Sequence, residues 1–234
     1  MPVPSPATAC ILAGGLGTRL RPLTDALPKP MVPVAGKPFL EHQLAALAGA
    51  GVRDFVLAVR YHWESIRDHF GDGSAFGWRV RYSVEPEPLG TGGALAHALP
   101  LLPERFLVLN GDTYLDLDWA AFLADTWADE GFAGCIAVRN VPDTSPYGSV
   151  DIEGRTVRGF REKVASTGAG LVNAGLYAFE RRTLAGRTGA FSLERDVLPH
   201  APLAAHPIAG NFVDIGTFDR LDAFRRSMEE ALSP

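Results

Sequence analysis

Residues 8–20 of the chain have the sequence TACILAGGLGTRL. The apolar run at 8–13 predicts a strand that is buried on both faces of a sheet. Three glycines, Gly14, Gly15 and Gly17, follow this run directly. Because glycine has no Cβ, the backbone here can approach a ligand closely and point its N–H groups at an anion. The stretch therefore predicts the first strand of an α/β sheet, with a loop suited to phosphate at its end.

The alternation of strand and helix continues through the first half of the chain. Further strands are predicted at 54–59, 79–84, 106–109 and 135–138, and helices at 38–50, 63–70, 91–99 and 119–129. Strand-like runs at 149–152, 156–160 and 172–179 follow without a long helix between them, which indicates a β-rich insertion. A final helix is predicted from Thr217, and its apolar stripe comprises Phe218, Leu221, Phe224, Met228 and Leu232.

Composition excludes several classes of protein. The 234 residues include 22 Lys and Arg against 27 Asp and Glu, and a net charge of -5 argues against an extended nucleic-acid surface. Cys10 and Cys135 lie in apolar runs, which predicts buried free thiols in a reducing compartment. The chain has neither a signal-peptide pattern nor an apolar run near the ~20 residues of a membrane span, so we expect a cytoplasmic protein.

The segment 14–38 is basic within this acidic chain. It holds four basic residues, Arg19, Arg21, Lys29 and Lys37, against the single acid Asp25. The prolines on both sides of Lys29 restrict the backbone and aim its ammonium group. The glycine pattern matches neither the dinucleotide-binding fingerprint nor the P-loop, and the missing third glycine speaks against a dinucleotide-dependent oxidoreductase. That oxidoreductase and a tight turn without ligand remain the alternatives. The local charge favours a phosphate cradle.

Longer motifs carry a family resemblance. They are GGLGTRLRPLT at 14–24, PKPM at 28–31, LNGD at 109–112, FREK at 160–163, VNAG at 172–175 and VDIGT at 213–217. With them the chain resembles the sugar-1-phosphate nucleotidyltransferases over nearly its whole length. The resemblance implies a Rossmann-like, three-layer α/β/α fold of the GT-A type, with a mixed, mostly parallel sheet and a small β-rich acceptor-binding insertion. It implies one domain, with a nucleotide-binding half at 7–140, a sugar-phosphate-binding half at 141–216 and a C-terminal helix at 217–232.

The resemblance also implies roles for individual residues. Arg19, Lys29 and Asp112 match catalytic positions, where the arginine holds the triphosphate and the lysine contacts the reacting phosphates. The matching nucleotide-binding positions are Leu12, Ala13, Gly14, Gly15, Gly17, Thr18, Arg19, Lys29, Glu85, Gly90 and Thr91. The matching sugar-phosphate positions are Tyr147, Gly148, Glu162, Lys163, Asn173 and Gly175.

Two aspartates are candidate metal ligands. Asp112 follows the apolar strand at 106–109, at the edge where open α/β sheets bind ligands, and Asp214 follows a short apolar stretch. Two carboxylates suit Mg²⁺, which fills its remaining positions with water and phosphate oxygens. A turn cap at Asp112 and a helix-terminal role for Asp214 are the structural alternatives. In the family the matching aspartates hold the metal.

The resemblance predicts the type of reaction more specifically than it predicts which nucleotide and which sugar phosphate react. Glu85 could accept hydrogen bonds from guanine N1–H and N2–H₂, whereas uracil offers a single N3–H, so the site favours GTP. Within the family the motifs are similar to those of enzymes that transfer GMP to D-glycero-α-D-manno-heptose 1-phosphate for bacterial surface polysaccharide. Mannose 1-phosphate guanylyltransfer, N-acetylmuramate 1-phosphate uridylyltransfer and a non-catalytic nucleotide or sugar sensor remain alternatives. The sequence leaves a homo-oligomer open.

Overall fold

The computed structural model describes residues 8–126, 131–145, 147, 149–161, 168–210 and 212–232. Its strands are β1 (Thr8–Leu12), β2 (Pro33–Val34), β3 (Lys37–Pro38), β4 (Asp54–Val59), β5 (Arg79–Val84), β6 (Arg105–Asn110), β7 (Thr113–Leu115), β8 (Gly134–Val141), β9 (Ser149–Glu153), β10 (Thr156–Arg161), β11 (Gly170–Glu180), β12 (Leu203–Ile208) and β13 (Phe212–Asp214). Its α-helices are α1 (Phe39–Gly49), α2 (Trp63–Phe70), α3 (Gly90–Ala98), α4 (Trp119–Thr126), α5 (Leu193–Asp196) and α6 (Phe218–Leu232).

One large mixed sheet organises the described part of the chain. Its strand order is β5-β4-β1-β6-β11-β8-β12-β10-β9. The first four strands are parallel to one another, β11 runs antiparallel between β6 and β8, and β12 is parallel to β8. The β-rich stretch after residue 149 therefore extends the same sheet. The predicted α/β fold with a mixed sheet is confirmed.

The central strand β1 divides the core into two layers. Ala9 and Ile11 pack into one buried cluster, and Cys10 packs into the other together with Val56 of β4. Because both faces of the sheet are covered, β1 is continuously apolar, as its sequence predicted. Burial raises the pKa of both Cys10 and Cys135 to about 12, and both are free thiols.

Helix α6 packs on a third cluster beside the glycine-rich loop. Leu221 and Phe224 are buried there, and Met228 packs against them. The predicted stripe was wrong at Phe218, which is 39% exposed, because the first residue of the helix lies beyond the edge of this cluster. Among the described residues, none of the helices is both long enough and apolar enough to span a membrane.

Two short two-stranded ribbons accompany the large sheet. The β2–β3 hairpin turns at Ala35 and Gly36, whose φ angles are 45° and 79°, which is the left-handed geometry of a tight hairpin turn. The second ribbon pairs β7 with β13 and places Asp214 opposite Thr113. This pairing brings together two segments that are about a hundred residues apart in the sequence.

Candidate active site

A cavity of about 480 Å³ opens where β1, β4, β5 and β6 end. Parallel strands place their carboxyl ends at one edge of the sheet, and side chains that follow them therefore converge. The cavity is lined by every predicted nucleotide-binding residue and by Asp112: Leu12, Ala13, Gly14, Gly15, Gly17, Thr18, Arg19, Lys29, Glu85, Gly90, Thr91 and Asp112. The structure thus brings these residues together around a single space.

The close packing of the glycine loop requires residues without a Cβ at two positions, Gly14 and Gly17. A Cβ at Gly14 would collide with Oε1 of Glu85, and a Cβ at Gly17 would lie 2.9 Å from the Cβ of Lys29. Gly17 also has a φ of 61°, and its carbonyl accepts a 2.9 Å hydrogen bond from the Thr24 hydroxyl. The loop can therefore lie directly against Glu85 and Lys29 only because its residues are glycines.

Lys29 forms an ion pair with Asp112 inside the cavity. The Nζ of Lys29 lies 2.6 Å from Oδ2 of Asp112, and Lys29 as a whole is only 8% exposed. Lys29 begins a short 3₁₀ turn together with Pro30, and Pro28 precedes it in extended conformation. A buried ammonium requires a partner, and Asp112 supplies one. Lys29 is therefore an internal charge and not a solvated loop lysine.

The two candidate metal ligands lie beside the second ribbon: Asp112 directly precedes β7, and Asp214 is the last residue of β13. The N–H of Ile215 donates a 3.0 Å hydrogen bond to the Asp112 carbonyl, so Asp214 and Asp112 lie on adjacent chain segments. Asp214 accepts a 2.6 Å hydrogen bond from the Gly216 N–H and forms an ion pair with Arg220. Asp118, in contrast, caps α4 through the Ala121 N–H at 2.9 Å.

The two carboxylates at this place are donors of the kind that a divalent cation takes, although Lys29 pairs with Asp112 and Arg220 with Asp214 here. Among the described residues, no third acidic, histidine or cysteine side chain completes a cluster with them. Gly216 lines the cavity, and a Cβ on it would lie 2.5 Å from Oδ1 of Asp214 and 3.3 Å from the Arg19 guanidinium. Because Gly216 has no Cβ, Oδ1 of Asp214 lies close against the backbone that lines the cavity. The carboxylate of Asp112, with a side chain 35% exposed, faces the same cavity. Hard carboxylate oxygens are the donors that Mg²⁺ selects.

Glu85 provides a buried carboxylate at the other end of the cavity. It follows β5, is 8% exposed, and accepts a 3.2 Å hydrogen bond from the Leu89 N–H at Oε2. Burial raises the pKa of Glu85, while the Leu89 hydrogen bond and the Arg60 charge act in the opposite direction. The other oxygen, Oε1, has no hydrogen-bond donor among the described residues. One acceptor is thus left for a ligand.

The loop before α3 is braced by a distant segment. Gly90 has a φ of 70°, and a Cβ there would lie 2.7 Å from the Phe191 carbonyl. The Thr91 hydroxyl donates to Glu194 at 2.6 Å and accepts from the Leu193 N–H at 2.9 Å. Thr91 therefore lines the cavity while its hydroxyl group is engaged in holding the loop.

The predicted sugar-phosphate residues occupy two places. Asn173 donates to the Tyr177 hydroxyl at 2.6 Å and accepts from the Gly175 N–H at 2.9 Å. Gly175 lies against Asn110, since a Cβ would be 2.8 Å from its Nδ2. Gly148, Glu162 and Lys163 lie outside the described residues.

Tyr147 lines a second cavity, of about 570 Å³, between the β7–β13 ribbon and α6. Asp214 and Arg220 line it too, and the Arg220 guanidinium lies 4.9 Å from the centre of the Tyr147 ring. Burial raises the pKa of Tyr147. Asp214 thus connects this cavity with the wall of the first.

Sequence reasoning missed three polar residues of the site. Arg60 and Asn110 line the first cavity and Arg220 lines the second. Arg60 directly follows β4 and Asn110 ends β6, so the rule that ligands bind at strand carboxyl ends could have found both. Arg220 lies on the first turn of α6, where nothing in its spacing indicates a partner in Asp214.

Comparisons with known proteins agree with this geometry. Residues 8–197 match the family model described as "Nucleotidyl transferase". The chain is 41% identical over 170 residues to D-glycero-alpha-D-manno-heptose 1-phosphate guanylyltransferase of Campylobacter jejuni, covering 72% of this chain and 74% of that protein. It is 41% identical over 198 residues to mannose-1-phosphate guanylyltransferase of Mycobacterium tuberculosis, covering 82% of this chain and 54% of that longer protein.

A solved structure is similar over almost the full length of both chains. The crystal structure of HddC from Yersinia pseudotuberculosis, complexed with GMP-PN, has a TM-score of 0.84 and 33% sequence identity, and covers 95% of this chain and 99% of that chain. The resemblance drawn from the motifs is confirmed by these findings, and the chain belongs to the nucleotidyl transferase family.

Proposed function

We propose that the protein transfers GMP from GTP to D-glycero-α-D-manno-heptose 1-phosphate, giving GDP-heptose and pyrophosphate. The observation that carries the transfer reaction is the buried Lys29–Asp112 ion pair, 2.6 Å long, at the wall of a cavity formed by the glycine loop. The similarity to a named heptose 1-phosphate guanylyltransferase supports the acceptor. The unpartnered oxygen of Glu85 supports guanine.

The reaction needs positioning and charge neutralisation more than proton transfer. An oxygen of the sugar 1-phosphate attacks the α-phosphorus of GTP in line, a new P–O bond forms, and the bond to the β-phosphate oxygen breaks to release pyrophosphate. The attacking oxygen is already anionic, so no general base is required. Lys29 stabilises the α-phosphate, and Arg19, which is exposed at the cavity mouth, steadies the leaving pyrophosphate.

Asp112 and Asp214 would hold Mg²⁺ in this proposal. The ion would supply charge neutralisation at the reacting phosphates. The chain's own contribution is the pairing of β7 with β13, which brings Asp214 to the segment of Asp112, and Gly216, which leaves Asp214 close to the cavity wall.

We assign the acceptor sugar phosphate to residues 141–216 and the nucleotide to residues 7–140 of a single domain, with the C-terminal helix at 217–232. The proposed acceptor residues are Tyr147, Gly148, Glu162, Lys163, Asn173 and Gly175. The position of Tyr147 beside Asp214 supports this division. We further propose that the enzyme acts in surface polysaccharide synthesis and is cytoplasmic. Its two buried free thiols support the second point, because free thiols are typical of a reducing compartment.

A second candidate acceptor is mannose 1-phosphate. It is favoured by the similarity to a mannose-1-phosphate guanylyltransferase over 82% of the chain. That acceptor would use the same cavity and the same nucleotide, so the two candidates differ only in the sugar.

A pyrophosphate-release panel tests the proposal. GTP, UTP, CTP, ATP and dTTP are each combined with heptose, mannose, glucose and N-acetylmuramate 1-phosphates, with Mg²⁺ and with EDTA. We expect the highest kcat/KM for GTP with heptose 1-phosphate, and GTP exceeding UTP by about tenfold or more, since a hydrogen bond to a charged group contributes about 1.5–3 kcal/mol.

Each result in the panel has a defined meaning. Faster turnover of mannose 1-phosphate would replace the acceptor, and a preference for UTP would remove the role given to Glu85. Full activity in EDTA would refute the metal assignment. No release with any pair would overturn the activity itself.

A further inference from the structure

Arg60 is a cation in the nucleotide cavity without a protein partner. It directly follows β4, is half-buried, and lines the cavity. Among the residues that the structure describes, its guanidinium forms no ion pair and no hydrogen bond. Elsewhere in the described part of the chain, arginines beside carboxylates do form ion pairs, for example Arg79 with Asp54 at 2.7 Å. A half-buried guanidinium left unpaired in a cavity indicates that a ligand acceptor completes it.

Arg60 and Glu85 face the same part of the cavity across the glycine loop. The Cβ of Arg60 lies 3.5 Å from the place where a Cβ of Gly14 would stand, and Oε1 of Glu85 lies against that same place. The Arg60 charge is near enough to act on the Glu85 carboxyl group, yet the two do not join in an ion pair. Gly14 therefore lies between the Glu85 carboxylate, an acceptor, and the base of the Arg60 side chain, a donor.

A guanine edge presents the complementary pattern. Its N1–H and N2–H₂ groups donate, and its O6, next to N1, accepts. Adenine offers an acceptor at N1 and a donor at N6, so both contacts would be lost. We propose that Arg60 donates a hydrogen bond to O6 of guanine while Glu85 accepts from N1–H and N2–H₂, which makes Arg60 a specificity-determining residue for the nucleotide.

The inference rests on the proposed function, since it requires a guanine nucleotide in this cavity, and it adds a residue to which no role was given above. The rival explanation is that Arg60 only offsets the charge of Glu85. In that case Arg60 would influence every contact that Glu85 makes, whereas a direct contact with O6 would affect that atom alone.

Nucleotide analogues separate the two explanations. GTP, 6-thio-GTP, which replaces O6 by a weakly accepting sulfur, and ITP, which lacks the N2 amine, are compared by kcat/KM and by calorimetric Kd. The proteins are the wild type, Arg60→Ala, Arg60→Met and Glu85→Gln. Arg67→Ala is the matched control, because Arg67 lies on the outer surface of α2 beside Asp68.

We expect the wild type to prefer GTP over 6-thio-GTP by about 10- to 100-fold, the usual effect of losing one hydrogen bond from a charged donor. In Arg60→Ala this ratio should fall to nearly one, while the ratio of GTP to ITP is retained. Glu85→Gln should show the reverse, and Arg67→Ala should behave as the wild type. Circular dichroism establishes folding, and Arg60→Met repeats the test with a longer side chain that cannot donate a hydrogen bond, if the alanine variant does not fold.

Two results would overturn the role of Arg60. An unchanged ratio of GTP to 6-thio-GTP in both Arg60 variants would show that O6 is not its partner. A parallel change in the ITP ratio would show that Arg60 acts through Glu85. Failure of the proposed function looks different, because the wild type itself would then not prefer GTP.

Discussion

Lys29 illustrates how a single side chain is held out of water for a purpose other than packing. The residue is only 8% exposed, and its ammonium group lies 2.6 Å from Asp112. Burying such a pair seldom stabilises a fold more than apolar residues of equal size would. In the proposed reaction the arrangement instead keeps a positive charge at one place in the cavity, where it stabilises the α-phosphate without reorganisation.

Replacing Lys29 tests this at the scale of one residue. Lys29→Ala should fold normally, because Asp112 remains about one-third exposed and can be hydrated, yet kcat should fall by about 10²- to 10³-fold, the usual effect of removing one preorganised charge donor. Pyrophosphate release measures the rate. Lys37→Ala is the matched control, since the Lys37 side chain is 59% exposed in the same basic segment. Equal rates in the two variants would remove Lys29 from the reaction.

At the scale of elements, Glu41 ties three pieces of structure together. It lies in the first turn of α1, and its two oxygens bind Lys37 of β3 at 2.9 Å and His69 of α2 at 2.8 Å. Burial acts to raise the pKa of Glu41, but the hydrogen bonds from Lys37 and His69 outweigh it and the pKa is lowered. A carboxyl group with a lowered folded pKa adds stability above its unfolded pKa, and loses it as the pH falls through the folded value.

Glu41→Gln should therefore destabilise the protein in a pH-dependent way. At pH 7 we expect a loss of about 2 kcal/mol in the free energy of unfolding, as for hydrogen bonds to a buried charged group. The difference from the wild type should shrink as the pH falls from the ordinary pKa of 4.5 through the lowered pKa of the folded protein, below which the wild-type carboxyl is neutral in both states. Urea unfolding from pH 7 to pH 3 measures it, with the exposed Glu64→Gln as control. A loss that stays constant with pH would contradict the role of the charge.

Elements with a long periodic pattern could be predicted from sequence, and short ones could not. Helix α2 was predicted with its observed bounds of Trp63–Phe70, because its apolar positions recur at helical spacing. Strands β7 and β13 have three residues each and pair across about a hundred residues, so no local pattern reveals them. Asp214 owes its place beside the cavity to that pairing, and its nearness to Asp112 could therefore be inferred only through the family resemblance.

Side-chain partners were the hardest to predict. The motif placed Lys29, Glu85 and the glycines at the nucleotide, and the fold brings all of them to one cavity. The motif gave no indication of Arg60 or Arg220, because their roles depend on which side chains lie across a cavity and not on spacing along the chain. Thr91 was predicted to be a nucleotide-binding residue and does line the cavity, but the motif did not indicate that its hydroxyl donates to Glu194.

At the scale of the whole molecule, the proposed single domain rests on strands that interleave. Strand β8, which carries Cys135, lies between β11 and β12, both of which belong to the later part of the chain. Cys10 lies in β1, on the parallel side of the same sheet. The two thiols therefore report on different regions of one continuous sheet.

Thiol labelling should show a single unfolding step. In guanidinium chloride, Cys10 and Cys135 should become reactive toward a thiol reagent over the same concentration range, and that range should coincide with the loss of circular dichroism. The variants Cys10→Ala and Cys135→Ala assign the signals to the two sites. Labelling of one thiol well before the other would indicate two separately unfolding units and contradict the single domain.

The close approach of Gly90 to the Phe191 carbonyl limits how this enzyme could be recombined with its relatives. The loop near Glu85 has no room for side chains at Gly90 because the segment at 189–194, about a hundred residues later, is packed on it. A chimera that exchanged residues 85–94 alone would pack the loop of a relative against this chain's own segment at 189–194. To alter the nucleotide preference, residues 85–94 and the segment at 189–194 would therefore have to be exchanged together.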